Sequence, residues 1–253
     1  MSVVSESIQT DLSDGVLTVT LNRPEKKNAI TQAMYEALAA ATERCRTDDA
    51  IRVMLIRAEG DSFSAGNDIA DFIALGSQAS SPSDMAVFRF LKALADLDKP
   101  LVAAVKGRAV GIGTTLLLHC DLVIAADSAR FYTAFINLGL VPEAGSSLIL
   151  PALLGRQNAN RLLLAGDTLT ADEAERMGLV AYRCGDDELR DKALELGAKL
   201  AAKPPQALQY TKQLTRHGAD AIREQIKKES VLFAERMFSD ETRAIFDKFL
   251  NKK

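Results

Sequence analysis

Apolar and polar positions in the first hundred residues alternate first with a period of two and then with a period of three to four. Val16-Leu17-Thr18-Val19-Thr20-Leu21 mixes β-branched and apolar residues and stops at Asn22-Arg23-Pro24, which predicts a strand running into a loop. Ile51 to Ala58 predicts a second strand, ended by Glu59-Gly60-Asp61-Ser62. Between the two, Thr31 is placed to cap an alanine-rich helix reaching to about Arg46. Met85, Phe88, Leu91, Leu94 and Leu97 then recur every third residue before Asp98-Lys99-Pro100, the pattern of an amphipathic helix stopped by proline.

Leu101-Val102-Ala103-Ala104-Val105 is apolar throughout and predicts a strand buried on both faces. It leads through Gly107 and Gly111-Ile112-Gly113 into an apolar helix ending at about His119, followed by a strand from Leu122 to Ala126. Strands alternating with helices give an α/β architecture. After about Leu153 strand signals nearly vanish, and alanine, leucine, lysine and glutamate dominate to Lys253, so the last third is expected to be helical. Gly166-Asp167-Thr168-Leu169-Thr170 reads as the end of one helix and the start of another, with Thr170 as N-cap. Pro204-Pro205 marks a helix break and no long linker appears, which predicts an α/β core over residues 1–195 with a packed helical region over 196–253.

Composition narrows the function classes. A 253-residue chain that is 47% hydrophobic holds enough apolar surface for a substantial core. A formal net charge of -3 gives no electrostatic footing for nucleic acid, which is bound through basic patches. Cys45, Cys120 and Cys184 lie far apart without CxxC or Cys/His spacing, so neither a disulfide framework nor a zinc site is signalled, and a reducing compartment fits. Residues 1–10 lack the basic start and apolar stretch of a secretory signal, and no apolar run approaches the roughly 18 residues of a membrane span. A soluble, cytoplasmic protein with no membrane partner is expected, and the C-terminal Leu250-Asn251-Lys252-Lys253 is not a peroxisomal Ser-Lys-Leu signal.

Three segments are candidates to carry chemistry. In Ser62-Phe63-Ser64-Ala65-Gly66-Asn67-Asp68-Ile69 a strand ends in small residues ahead of a helical pattern, where exposed N–H groups can hold an anion or a developing oxyanion. It reads equally as an ordinary strand–helix turn. Gly107-x-x-x-Gly111-Ile112-Gly113-Thr114-Thr115 is a second such junction, able to supply another N–H or simply to let a helix pack close on a strand. Leu116 stands where a dinucleotide fingerprint needs its third glycine, which weakens an NAD reading.

The third segment, Leu138 to Ser147, places one carboxylate, Glu143, among apolar and small residues. Desolvation there raises a carboxyl pKa and suits a group that takes and returns a proton, although a glutamate after Pro142 is also an ordinary turn residue. Hydrolase chemistry lacks a Gly-x-Ser-x-Gly elbow, and the two histidines give it little: His119 ends an apolar run and His217 sits in a polar stretch. Phe246, Lys248 and Phe249 form either an apolar and basic patch for a ligand phosphate or an ordinary helix face.

Taken together and in order, these segments resemble the crotonase, or enoyl-CoA hydratase/isomerase, superfamily over nearly the whole chain. The residues that carry the resemblance are Leu21-Asn22-Arg23-Pro24 with Lys27-Asn28-Ala29, Phe63-Ser64-Ala65-Gly66-Asn67-Asp68, and Lys99-Pro100 with Ala103-x-Val105-x-Gly107. Cys120-Asp121 and Leu138-Gly139-Leu140-Val141-Pro142 complete the set. The resemblance implies a crotonase-type spiral of ββα turns with a C-terminal helical trimerisation region, and hence a homotrimer or a dimer of trimers.

It also implies an acyl-CoA thioester as substrate, bent across the first two loops, with no metal or redox cofactor; CoA is part of the substrate. By position, the backbone N–H groups of Asn67 and Ile112 would form the oxyanion hole. Ala65, Gly66, Asp68 and Ile69 would border the CoA, and Lys27 would meet its phosphates or remain an exposed loop lysine. Phe72, Ile73, Phe135 and Leu140 are candidates for the acyl pocket and equally for the core.

The chain departs from the hydratase pattern at Thr115 and Phe135, which occupy the positions of the two hydratase glutamates. Glu143 after Pro142, with Phe131-Tyr132-Thr133-Ala134-Phe135 and Gly66-Asn67-Asp68, instead resembles the Δ3,Δ2-enoyl-CoA isomerase branch, whose single acid/base is a carboxylate at the position of Glu143. The reaction so implied moves the double bond of a 3-enoyl-CoA to give the trans-2-enoyl thioester. Hydration, ring isomerisation or thioester hydrolysis on the same scaffold, and acyl-CoA binding without catalysis, stand as the alternatives.

Overall fold

The computed structural model describes residues 6–71, 85–216 and 218–250, with side chains through Lys248. Its strands are β1 (Ile8–Ser13), β2 (Val16–Leu21), β3 (Val53–Ala58), β4 (Leu101–Val105), β5 (Arg108–Val110), β6 (Leu122–Ala126), β7 (Arg130–Tyr132), β8 (Thr168–Thr170) and β9 (Tyr182–Cys184). They form a six-stranded sheet in the order β1-β2-β3-β4-β6-β9 and a three-stranded sheet in the order β5-β7-β8. The larger sheet is parallel from β2 onward, with β1 antiparallel to β2.

The two sheets share a repeated turn. β4 continues into β5 and β6 into β7, so the chain lays one strand in the large sheet, turns a corner and lays a short one in the small sheet. At the first corner Gly107 has φ 61°, and a Cβ there would lie 1.8 Å from the Asp61 carbonyl oxygen, a position only glycine can hold. This spiral of ββα turns is the predicted architecture.

The helices are α1 (Gln32–Thr47), α2 (Ala86–Asp96), α3 (Ile112–Thr115), α4 (Ser146–Leu154), α5 (Arg156–Leu163), α6 (Ala171–Met177), α7 (Leu189–Ala201), α8 (Pro205–Thr215), α9 (Ala219–Met237) and α10 (Asp240–Leu250). Thr31 caps α1 as expected, its side chain accepting from the Met34 N–H. Met34, Tyr35, Leu38 and Cys45 make the buried stripe of α1 and meet Phe90, Leu91 and Leu94 of α2.

Strand pleating divides the core in two. Val53, Leu55, Val102, Ala104 and Ile124 face α7, while their alternates Met54, Ile56, Leu101, Ala103, Val105 and Val123 face the main core with α1 and α2.

Several elements differ from the sequence expectation. β1 carries only one buried residue, Ile8, so it has no apolar alternation to reveal it; β5, β7, β8 and β9 have three residues each, too few for a period to register. Thr170 ends β8 and also caps α6 in a full capping box with Glu173, so the segment read as a helix-to-helix junction contains a strand. The apolar helix expected up to His119 is a single α turn, α3, tightened into a 3₁₀ segment over Leu116–His119. α7 runs through residue 195 and packs on the large sheet, and α8 begins after the Pro204 break.

The later helices are tied to the core by polar anchors. Buried Lys212 of α8 donates to Asp121 at 2.7 Å and to the Lys99 carbonyl at 2.8 Å, while Asp121 accepts the Leu101 N–H at 2.7 Å. Arg216 donates to the Leu94 and Leu97 carbonyls, satisfying the C-terminus of α2. Among the described residues no helix is long and apolar enough to cross a membrane.

Candidate active site

The first glycine loop is held by a buried asparagine. Asn28 is fully buried with φ 54°; its side-chain amide donates to the Glu59 and Ser62 carbonyls at 2.8 Å each, and its Oδ1 accepts the Arg23 N–H at 2.8 Å. Ser64 Oγ donates to the Asn28 carbonyl and accepts the Gly66 N–H at 3.1 Å. Ile30 then pairs with the loop in a parallel bridge, donating to the Gly66 carbonyl and accepting from the Asp68 N–H. That pattern uses the residues on either side of Asn67 and turns the Asn67 N–H away from Ile30; no hydrogen bond among the described residues occupies it.

The second loop is zipped to the first. Ser64 N donates to the Arg108 carbonyl at 3.0 Å, and Val110 N donates to the Ser64 carbonyl at 2.9 Å. Gly66 has φ 91°, and a Cβ on it would stand 2.9 Å from the Val110 carbonyl oxygen; a Cβ on Gly113 would stand 3.0 Å from that of Ser64. Both glycines are required by backbone lying against backbone. Ile112 is the first residue of α3, so its N–H has no acceptor within the helix. The structure thus brings together two junctions that lie about 45 residues apart in the chain and leaves one unpaired N–H on each.

Glu143 sits in a strained turn. Ala144 and Gly145 follow it in the left-handed region at φ 62° and 73°, uncommon for alanine. Three side chains hold this turn. His119 Nε2 lies 2.9 Å from the Ala144 carbonyl oxygen, as donor when that nitrogen carries the proton. Glu229 of α9 accepts the Gly145 N–H at 2.5 Å, the Ser147 N–H at 2.9 Å and the Ser147 hydroxyl. Thr115 Oγ1 donates to Glu143 Oε1 at 2.8 Å.

Glu143 is 7% exposed. Burial pushes its carboxyl up to about 7; the Thr115 hydrogen bond acts downward and the nearby negative charge of Glu229 upward. Burial also lowers His119 to about 4, so its ring is neutral near pH 7. Glu143 and Asn67 line one apolar cavity with Met85, Phe88, Phe233 and Met237. Its free volume of about 20 Å³ is room for roughly one water.

The other sequence candidates fall around this centre. Ala65 is exposed and Gly66 buried, with Asp68 and Ile69 partly buried. Asp68 pairs with Arg23 at 2.7 Å, which also donates to the Ala29 carbonyl, so this carboxylate braces the loop. Lys27 meets Asp61 at 2.7 Å with both side chains more than half exposed, a pair weak enough to yield to a phosphate. Phe135 and Leu140 are buried, Phe135 edge-on to Phe233. Phe246 is buried and Lys248 exposed on α10. Phe72, Ile73 and His217 lie outside the described residues, as does the Phe249 side chain.

Three contributors escaped sequence reasoning. Tyr35 is fully buried and its hydroxyl donates to Asn67 Oδ1; burial, then the Glu143 charge, raises its pKa. On the apolar stripe of α1 it reads as plain core. Glu229 lies in a lysine- and glutamate-rich helix where a single buried carboxylate has no distinguishing pattern. Thr115 was notable only as a missing carboxylate, whereas its hydroxyl is the direct partner of Glu143.

A raised carboxyl pKa makes stability depend on pH. The unfolded chain releases this proton near 4.5 and the native chain near 7, so the neutral carboxyl's contribution is complete below 4.5 and is lost as pH rises through 7. Glu143→Gln has no such titration. Its melting temperature relative to the wild type should be higher at pH 8 than at pH 5 by several degrees; a pH-independent difference would contradict the buried, up-shifted carboxyl.

The chain is similar to known proteins over most of its length. A family model described as enoyl-CoA hydratase/isomerase matches residues 11–253. The chain is 39% identical over 212 residues to 1,2-epoxyphenylacetyl-CoA isomerase of Escherichia coli (strain K12), covering 82% of this chain and 81% of that protein. It is 34% identical over 239 residues to 2,3-dehydroadipyl-CoA hydratase of the same organism, covering 94% and 93%. The crystal structure of an enoyl-CoA hydratase/isomerase from Pseudoalteromonas atlantica T6c superposes with a TM-score of 0.92 at 43% identity, covering 98% of each chain. The spiral fold and the match over residues 11–253 are those of a crotonase-type acyl-CoA enzyme, and the chain belongs to the enoyl-CoA hydratase/isomerase family.

Proposed function

We propose that the protein shifts the double bond of a 3-enoyl-CoA to the trans-2 position, with Glu143 as the only acid/base. The observation that carries this reading is a buried carboxylate with a pKa of about 7, the one carboxylate among the residues that line the cavity with Asn67. Glu143 removes a proton from C2, leaving a dienolate, and returns it to C4. The thioester oxygen takes up negative charge between the Asn67 and Ile112 N–H groups, each donor supplying about 3 kcal/mol to the transition state. A carboxyl titrating near the working pH serves both half-reactions and adds roughly two to four orders of magnitude.

CoA lies along Ala65, Gly66, Asp68 and Ile69 in this reading, with Lys27 released from Asp61 toward its phosphates. Thr115 and Phe135 argue against hydration through a pair of carboxylates, since one is a hydroxyl already engaged and the other a buried ring. Glu229 is committed to Gly145 and Ser147. Three free cysteines, two of them buried, support a cytoplasmic setting.

A homotrimer, or a dimer of trimers, completes the proposal. Leu164 is 66% exposed, Leu214 74% and Val231 66% in the single chain, with Tyr210 and Leu232 also more than half exposed. So much apolar surface on the later helices suits subunit contact.

In deuterium oxide 3-enoyl-CoA should give trans-2-enoyl-CoA whose C4 carries the proton taken from C2, or deuterium where the Glu143 carboxyl exchanges with solvent before delivering it. Glu143→Gln should lower the rate at least about 100-fold with substrate binding retained. A mutant with the wild-type rate, or faster hydration of 2-enoyl-CoA by the wild type, would overturn the assignment.

Gly113→Ala forces Ser64 and α3 apart by a few tenths of an ångström, so kcat should drop about 10- to 100-fold with KM much less affected. Equal losses in binding and turnover would instead indicate a damaged CoA groove. Sedimentation velocity should show three or six times the 27.3 kDa chain mass, and a monomer at micromolar concentration would refute the assembly.

A further inference from the structure

We infer that Thr115 is a positioning residue for the base: by holding Oε1 of Glu143 it leaves Oε2 alone to meet the substrate and sets the base in register with the oxyanion donor Ile112. This rests on the proposed role of Glu143. Thr115 is fully buried, and its hydroxyl lies 2.8 Å from Glu143 Oε1 against 3.4 Å from the Gly111 carbonyl, so its one proton goes to the carboxylate. Glu143 Oε2 has no hydrogen-bond partner among the described residues and is not sealed from solvent, so it is the oxygen that opens on the cavity.

Thr115 stands three residues after Ile112 in the same helical turn. Base and oxyanion donor are therefore linked through one rigid element, although Glu143 and Ile112 are 31 positions apart in the sequence. A shift of the helix that moved the Ile112 N–H would carry the carboxylate with it. Pinning Oε1 also hinders the carboxylate from rotating between the two half-reactions, so the oxygen that takes the proton from C2 is the oxygen that delivers it to C4. The proton count closes on Oε2: one bond to hydrogen forms there as the C2–H bond breaks, and breaks as the C4–H bond forms.

The groups facing Glu143 from the packed elements are Thr115 of α3, Tyr35 of α1 and Glu229 of α9, with His119 reaching the adjacent Ala144 carbonyl. Thr115 is the one that donates directly to the carboxylate and so favours its charged form. Without that bond burial acts unopposed, and the carboxyl should titrate about one pH unit higher or more.

The test compares Thr115→Val, Thr115→Ser and Thr115→Ala, each alone and with Glu143→Gln. The difference in melting temperature between each variant and its Glu143→Gln partner, followed from pH 5 to 9, reports the Glu143 carboxyl without any substrate. The slope of that difference against pH should fall to half at a midpoint near 7 in T115S, where the Glu143 carboxyl titrates in the folded chain, and about one unit higher in T115V. With 3-enoyl-CoA, the rising limb of kcat against pH should move likewise in T115V. Its high-pH plateau should remain about tenfold below wild type with KM within a factor of two, and T115S should restore both.

T115A gives the same readings if T115V does not fold. A folded variant lacking the hydroxyl with unchanged midpoint and plateau would overturn the inference. An unchanged midpoint with a lowered plateau would reduce Thr115 to packing and also overturn it. Activity persisting in Glu143→Gln would instead defeat the base assignment, while the melting-temperature midpoints would still decide whether Thr115 holds the carboxylate.

Discussion

Backbone pressed against backbone fixes this site. Gly66 lies against the Val110 carbonyl and Gly113 against Ser64, at distances where any Cβ would push the loops apart. Two parallel bridges, Ile30 with Asn67 and Ser64 with Ala109, lock the same segments by hydrogen bonds. The separation of the Asn67 and Ile112 N–H groups is therefore set by van der Waals contact and not by adjustable side chains. An oxyanion hole works because its dipoles need no reorganisation during reaction, and the hole proposed at these two groups would have that rigidity. Asn28, Ser64 and the Arg23–Asp68 pair surround the contact and satisfy the backbone groups it leaves over.

Against that rigid element stands a costly one. A carboxylate as buried as Glu143 loses solvation, and the alanine after it adopts a conformation that glycine adopts more readily. The surroundings offset part of this without neutralising the group. Thr115 favours the charged form, Glu229 disfavours it, and the balance leaves the carboxyl near 7. Glu229 has a second role: burial raises its own carboxyl, and its three hydrogen bonds at the start of α4, where the helix N-terminus favours an anion, act downward while they hold the Glu143 turn.

The later helices complete the site as well as the fold. Glu229 lies one turn from Phe233 on α9, and Phe233, Ala234 and Met237 form one side of the cavity. Docking of α9 therefore builds the cavity wall and restrains the Glu143 turn together. Lys212 and Arg216 secure the preceding helix by reaching across to Asp121, Lys99 and the end of α2. The Lys99-Pro100 and Cys120-Asp121 motifs thus acquire a physical reason, as the acceptors and neighbours of that anchor.

By itself the sequence determined the elements long enough to show a period: β2, β3, β4, β6, α1 and α2 follow from alternation, helical spacing and the Thr31 cap. It also marked both glycine loops, because a position that cannot carry a side chain leaves a visible trace, and it singled out Glu143 as a carboxylate in apolar company. Three-residue strands left no periodic trace, and β1, exposed along five of its six residues, had no apolar face to show. Only the tertiary structure decided which groups meet. Tyr35 reads as core until its hydroxyl is seen on Asn67, Glu229 as helix surface until it enters the Glu143 turn, and Thr115 as a lost carboxylate until it is found bonded to the one present. Each of these contacts joins residues 28 to 84 positions apart, and a hydrogen bond requires a distance and a direction that local pattern does not encode.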